Sequence, residues 1–273
     1  MVEFTSEVIT EHILRIRGLG DACMYFLKGK EKGILVDTAY GTGDLRGYIE
    51  SIWDKPYEVI ITHGHADHCN GMQQWDKVYM NHNDIEISKQ KSDIALRRSM
   101  LRRTVPDIDE YPDSEFQGPF TGEFINLVHG MEFDLGGVTV QAIYAPGHTQ
   151  GMMVLLVKED RVILFGDACG ENTFLFKPES SSVAVYAEAL KELKKYEPLY
   201  DRVLRQHGSC ESEKSILDEN LEVAEMILAR KDAHIPFEYM GQHVWMACEI
   251  DPLTHRRKDG KCGNIYYSED KID

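Results

Sequence analysis

Between residues 8 and 17 apolar side chains (Val8, Ile9, Ile13, Leu14, Ile16) alternate with polar ones at a period near two, which predicts a strand half-buried against a core. Similar runs at 22–27 and 32–37 flank the Gly29-Lys30 turn, so the chain is expected to open as a β-meander. The period then changes. After the Gly41-Thr42-Gly43 loop, Leu45, Tyr48, Ile49 and Ile52 recur at helical spacing over 45–53, and Pro56 ends that pattern. The run Tyr57-Glu58-Val59-Ile60-Ile61 reads as a short buried strand, and it ends on a cluster of histidines.

Beyond the cluster the pattern predicts a short helix at 66–75, a strand at 77–80 and a longer polar helix over 83–103 with Asn83 as its N-cap. The stretch 105–122, rich in Pro, Asp and Gly, carries no period. With the helix before it, it marks an insertion or lid around 83–122, the kind of segment that carries substrate contacts. Strand patterning returns at 124–128, 138–144, 152–157 and 161–165, with Gly136-Gly137 and Glu159-Asp160 as hairpin turns. Helices are expected at 183–196 and 213–231, a strand at 201–205 and an irregular tail at 241–273. Strands, helices, strands and helices in that order suggest one domain over 1–273, two βα halves packed sheet against sheet with the helices outside.

Composition narrows the function more than the fold. With 42% hydrophobic and 28% charged residues in 273, the chain has the make-up of an ordinary soluble globular protein. Thirty Lys and Arg against 46 Asp and Glu give a formal charge of −16, which repels phosphate backbones and anionic bilayers, so neither nucleic acid nor membrane is an expected partner. The basic stretch Arg97-Arg98 to Arg102-Arg103 has a spacing that suits the solvated face of a helix. The N-terminus, Met1-Val2-Glu3-Phe4, has no cationic start and no apolar core of signal-peptide length, and a cytoplasmic protein is expected. The six cysteines form no CxxC pair and read as free thiols.

The strongest chemical signal is Thr62-His63-Gly64-His65-Ala66-Asp67-His68, three imidazoles and a carboxylate directly after an apolar strand. In such a strand-to-helix loop His63 and His65 can converge on one ion while Asp67 and His68 turn toward another. Three further residues stand beside glycine just past an apolar strand: His148 in Pro146-Gly147-His148, Asp167 in Phe165-Gly166-Asp167 and His207 in Gln206-His207-Gly208. Alone, each would read as a turn or cap residue; together they complete two metal sites. Imidazole and carboxylate donors suit zinc and, less selectively, iron or manganese.

With H-x-H-x-D-H, a later G-H, a G-D and a final H-G in that order, the chain resembles the metallo-β-lactamase superfamily from about Ile13 to the His207 loop. Leu35-Val36-Asp37-Thr38 also matches the early strand-end aspartate of that family. The resemblance implies an α/β fold of four layers, αββα, with the metals at one edge. It implies a first ion on His63, His65 and His148, a second on Asp67, His68 and His207, and Asp167 bridging. Two zinc ions are expected, with iron or manganese as alternatives. Two metals sharing a hydroxide fit hydrolysis of a small ester, thioester, lactone or amide-like molecule, and Asp67 would in addition be catalytic, orienting the nucleophile or passing its proton on. Glyoxalase-II-like thioesterases and lactonases are similar in metal motif; β-lactam hydrolysis is disfavoured without an export signal.

Two rivals come from other classes: a mononuclear iron enzyme like the superfamily's persulfide dioxygenases, and a non-enzymatic binding module on the same fold. Cys69, Cys169 and Cys210 lie close to the ligand motifs but read as small buried hydrophobes. His129 reads as a turn residue, and His12, His82, His234, His243 and His255 have no partner motif. Tyr186, Tyr239, Tyr266 and Tyr267 are candidates for an oxyanion donor, with packing the plainer role. A homodimer through the insertion is compatible with the pattern.

Overall fold

In the computed structural model, which describes residues 2–239, 241–254 and 256–273, the first sheet takes seven strands in chain order. They are β1 (Thr5–Val8), β2 (Ile13–Arg17), β3 (Cys23–Lys28), β4 (Gly33–Val36), β5 (Tyr57–Ile60), β6 (Lys77–Met80) and β7 (Glu123–Asn126). Strands β1 to β4 are antiparallel, as tight turns require, and β4 to β7 are parallel because helices cross between them. The crossovers are α1 (Leu45–Ile52), α2 (Ala66–Cys69) and the pair α3 (Ile85–Gln90) and α4 (Ile94–Leu101).

The second sheet holds β8 (Glu132–Asp134), β9 (Thr139–Tyr144), β10 (Met153–Val157) and β11 (Val162–Leu164). The chain then leaves it for β12 (Thr173–Leu175) and α5 (Val183–Lys194), and returns with β13 (Arg202–Leu204), parallel to β11, and β14 (Glu211–Ser212). After α6 (Ile216–Leu228), strands β15 (Ile235–Tyr239), β16 (Gln242–Met246) and β17 (Ile265–Tyr267) join β12 in a third sheet ordered β12-β17-β16-β15.

Period-two alternation decides the layers. In β3, Cys23, Tyr25 and Leu27 face the second sheet, where Phe133, Val140, Ala142 and Leu155 meet them; Met24 and Phe26 face outward onto Leu45 and Ile49 of α1. In β10, Met153, Leu155 and Val157 point inward, and Val154 and Leu156 pack under α5 and α6. The result is helix, sheet, sheet, helix, each buried Leu, Val or Phe contributing about 1.5–3 kcal/mol of transfer energy. Among the described residues no helix is long and apolar enough to cross a membrane.

Four expectations fail for local reasons. Residues 8–17 form a hairpin rather than one strand, because the amides of Ile9 and Thr10 both donate to Ile13 O and fold β1 back onto β2. The helix expected at 83–103 is broken after Lys91, where Asp93 accepts from Leu96 N at 2.8 Å and starts α4 afresh; Asn81, not Asn83, caps the turn before α3. Arg97 does not lie on a solvated face: it is fully buried, its guanidinium donating to Tyr40 O and Gln117 O at 3.0 and 2.6 Å. The tail from 241 is irregular only in part, since β16 and β17 run within it on either side of a stretch with no named element.

Candidate metal centre

The site forms where the parallel strand β5 and the strands β9, β11 and β13 end, and the loops beyond them carry the motif residues. Asp37, just past β4, organises the first loop. Its carboxylate accepts from Thr62 N (2.7 Å), Thr62 Oγ1 (2.8 Å) and Gln206 Nε2 (3.1 Å), and stands 2.9 Å from His68 Nδ1. Asp84, buried between two loops, accepts from Gly64 N (2.9 Å), Thr149 Oγ1 (2.6 Å) and Gly151 N (2.6 Å), so one carboxylate ties the His63–His65 segment to the His148 segment. Glycine is required at 64 and 151 by this approach: a Cβ there would sit 2.6 Å from Asp84 atoms.

The seven motif side chains converge in three overlapping groups, His63-His65-His148, His63-His68-Asp167 and Asp67-His68-His207, with ligand atoms inside each group within 4.8 Å of one another. His65 Nδ1 lies 3.1 Å from His63 Nε2 and 2.9 Å from His148 Nε2, and His68 Nε2 lies 3.2 Å from His207 Nε2. Asp167 Oδ2 stands 3.5–4.0 Å from the inner nitrogens of His63, His68, His148 and His207, at the centre of the group.

The outer nitrogens fix what the inner ones offer. His65 Nε2 faces Glu179 Oε1 (3.1 Å), His68 Nδ1 faces Asp37, His148 Nδ1 faces Phe174 O (3.2 Å) and His207 Nδ1 faces Asp21 Oδ2 (3.5 Å). Carboxylates and a carbonyl only accept, so each of these outer nitrogens carries the hydrogen. His63 Nδ1 meets Thr62 Oγ1 at 3.1 Å, and that hydroxyl already donates to Asp37, so it too accepts. Were all five rings neutral, five lone pairs would point inward with contacts of 2.9–3.2 Å, an arrangement that a bound cation relieves and that protons on His68 and His207 relieve in its place.

Electrostatics separates the two ends of the cluster. Burial, with the positive charge of Lys177, lowers His65 to about 4; burial and His65 lower His148 to about 3, and burial with the neighbouring imidazoles holds His63 well below its ordinary 6.5. Around Asp67 the balance reverses. Burial opposes charge on His68 and His207, but Asp167 and Asp67 outweigh it, pushing His68 up to about 9 and His207 well above its usual range. Both aspartates are correspondingly held below the ordinary carboxylate value against the pull of burial.

A cavity of about 620 Å³ opens beside the cluster. Leu96, Met100 and Arg103 of the insertion form one wall, and Phe174, Phe176 and Tyr239 of the third-sheet region form the other; Arg103 donates to Tyr239 Oη at 3.2 Å, joining the two. Of the four candidate tyrosines only Tyr239 lines this cavity; Tyr186 is buried against Thr173 and Asn220, and Tyr266 and Tyr267 pack in the third sheet. Cys69, Cys169 and Cys210 are buried outside the ligand groups, their sulfurs against Gly64 O, Ile216 O and Cys23 Sγ. His129 bonds Tyr144 N and Tyr196 Oη away from the cluster, and His255 lies outside the described residues. Asp21, Asp84 and Glu179 carry no motif in the sequence; only the fold brings them to the site.

A family model described as "Metallo-beta-lactamase superfamily" matches residues 17–207. Among curated relatives, a Drosophila melanogaster "Beta-lactamase-like protein 2 homolog" is 26% identical over 74% of this chain, which spans 65% of that protein's length. The human "Acyl-coenzyme A thioesterase MBLAC2" is 23% identical over 63% of this chain and 67% of its own. Among solved structures, a metallo-beta-lactamase from Pontibacter korlensis superposes with a TM-score of 0.60 at 16% identity, over 82% of this chain and 99% of the other. The sec-alkylsulfatase Pisa1 from Pseudomonas sp. gives 0.61 at 16% identity, over 84% of this chain and 42% of the other. At such identities these structures speak for the fold.

Proposed function

The chain belongs to the metallo-beta-lactamase superfamily, and from that premise we propose that it is a binuclear zinc hydrolase of a small ester, thioester, lactone or amide-like molecule. The observation that carries the reading is the ring of five inward-facing imidazole nitrogens, each imidazole oriented from outside by an acceptor. Under this reading His63, His65 and His148 hold one ion, Asp67, His68 and His207 hold the other, and Asp167 lies between them. Nitrogen and oxygen donors in this mixture favour zinc over softer or harder metals, with iron or manganese the nearest alternatives. Bound zinc supplies an acidified water and a Lewis acid for the substrate carbonyl.

The protein's own groups supply the rest. Asp67, held ionised beside His207 Nε2 at 3.4 Å, is placed to orient the nucleophile and accept its proton. A cavity of about 620 Å³ suits a small molecule, and its Leu96, Met100, Phe174 and Phe176 walls exclude water from an acyl group. Lys177, without an ion-pair partner among the described residues, brings positive charge toward His65 and His148, where an acyl carbonyl would gain negative charge. Within the proposed class an acyl thioester fits these walls well, in keeping with the name of the human relative, an acyl-coenzyme A thioesterase.

Elemental analysis combined with a panel of thioester, lactone, β-lactam and phosphodiester substrates tests this directly. Two zinc per chain are expected, with hydrolysis that a chelator abolishes and zinc restores. Asp67→Ala should lose turnover and one ion together. One tightly held iron, or hydrolysis indifferent to chelation, would sink the binuclear hydrolase.

A further inference from the structure

We propose that Glu179 is a positioning residue that holds His65 as a ligand of the first ion, a reading that rests on the binuclear centre above. His65 is the exception in the cluster: it turns Nδ1 inward, whereas His63, His68, His148 and His207 turn Nε2. An imidazole has two orientations about its last side-chain torsion, and rotating the ring by half a turn would replace Nδ1 with a carbon. The same rotation would take Nε2 away from Glu179 Oε1, 3.1 Å distant, and put a carbon there as well. One hydrogen bond therefore selects the ring orientation in which Nδ1 can ligate.

The bond is well placed to do this. Side-chain exposure is only 5% for His65 and 11% for Glu179, so water competes poorly for either partner. The same carboxylate oxygen also lies 3.5 Å from Lys91 Nζ, at the end of α3 in the insertion. Its negative charge also strengthens His65 as a donor, as carboxylate partners of metal-bound histidines do. Glu179 thus links the ligand to the insertion, at the rim of the cavity that both help to line.

Chelator competition on the zinc-loaded protein reads this out without reference to turnover. Release of two ions in two steps is expected for the wild type. Glu179→Ala should weaken one step about 10–100-fold and leave the other in place. Glu179→Gln, which keeps an acceptor but no charge, should fall between the two, and metal-free unfolding should be nearly unchanged in both. Equal affinities in wild type and Glu179→Ala, or equal weakening of both steps, overturn the proposal. Should the alanine variant fail to fold, wild type against Glu179→Gln is judged by the same criterion. A wild type that binds no metal fails the underlying reading instead.

Discussion

Five imidazoles and two carboxylates this close cannot all keep their ordinary protonation when no cation stands among them, and the two ends of the cluster respond in opposite senses. His65 and His148, near 4 and 3, are neutral in the fold, so their contribution is full above about 6.5 and is lost as pH falls toward 4. His68, near 9, gains its stabilisation as a cation, full below about 6.5 and lost as pH rises through 9. Metal-free protein should therefore melt highest near pH 6.5 and lose stability on both sides. Zinc should abolish the alkaline loss, because the inner nitrogens then bond metal rather than protons, and should steepen the acid one. Melting temperatures of chelated and zinc-loaded protein from pH 4 to 10 check this; a flat alkaline limb without metal would contradict it. At this scale the sequence was most informative where ligand-type residues are concentrated beside glycine after apolar runs, as in His63 to His68. Glu179, Asp21 and Asp84 were illegible because each is a single carboxylate in a loop, and its partners lie far along the chain.

Among the elements, α4 shows why charge alone misreads a helix face. Asp93 caps it, Arg98 and Arg102 pair with Asp113 and Asp109, and Arg97 turns inward to bond the carbonyls of Tyr40 and Gln117. Those carbonyls belong to loops with no strand to satisfy them, so only a long cationic side chain reaches both. Arg97→Ala should cost roughly 2–4 kcal/mol by denaturant unfolding, since two carbonyls lose their donor, and should make residues 105–122 more sensitive to protease. Arg102→Ala, at an exposed pair, should leave the unfolding midpoint nearly unchanged. If Arg97→Ala behaves like Arg102→Ala, water replaces the guanidinium and the insertion is not anchored there. The long strands and helices were readable because their apolar periods persist; β12 and β17, three residues each, went unread within stretches that offered no clear period.

At the scale of the molecule, the third sheet is the part that sequence patterning passed over, and it is the part that walls the cavity opposite the insertion. Its central strand β17 pairs with β12 on one side and β16 on the other, and the amides of Cys262 and Gly263 bond Glu219 on α6. Removing residues 262–273 should strip both strands of a partner and expose the aromatic wall. A fall in melting temperature on the order of 10 °C or more is expected, with hydrolysis lost. Unchanged turnover in the shortened protein would show that the wall does not contribute to the site.

The pairing of β12 with β17 also sets a clock. Strand β12 is synthesised about ninety residues before its neighbour. At about 5–20 residues per second, His207 leads Tyr267 off the ribosome by roughly 3–12 s. Throughout that interval every histidine of the cluster exists, yet the strand that completes the neighbouring wall does not. A growing chain can begin to collect metal, but its cavity is finished only once β17 has emerged and paired with β12.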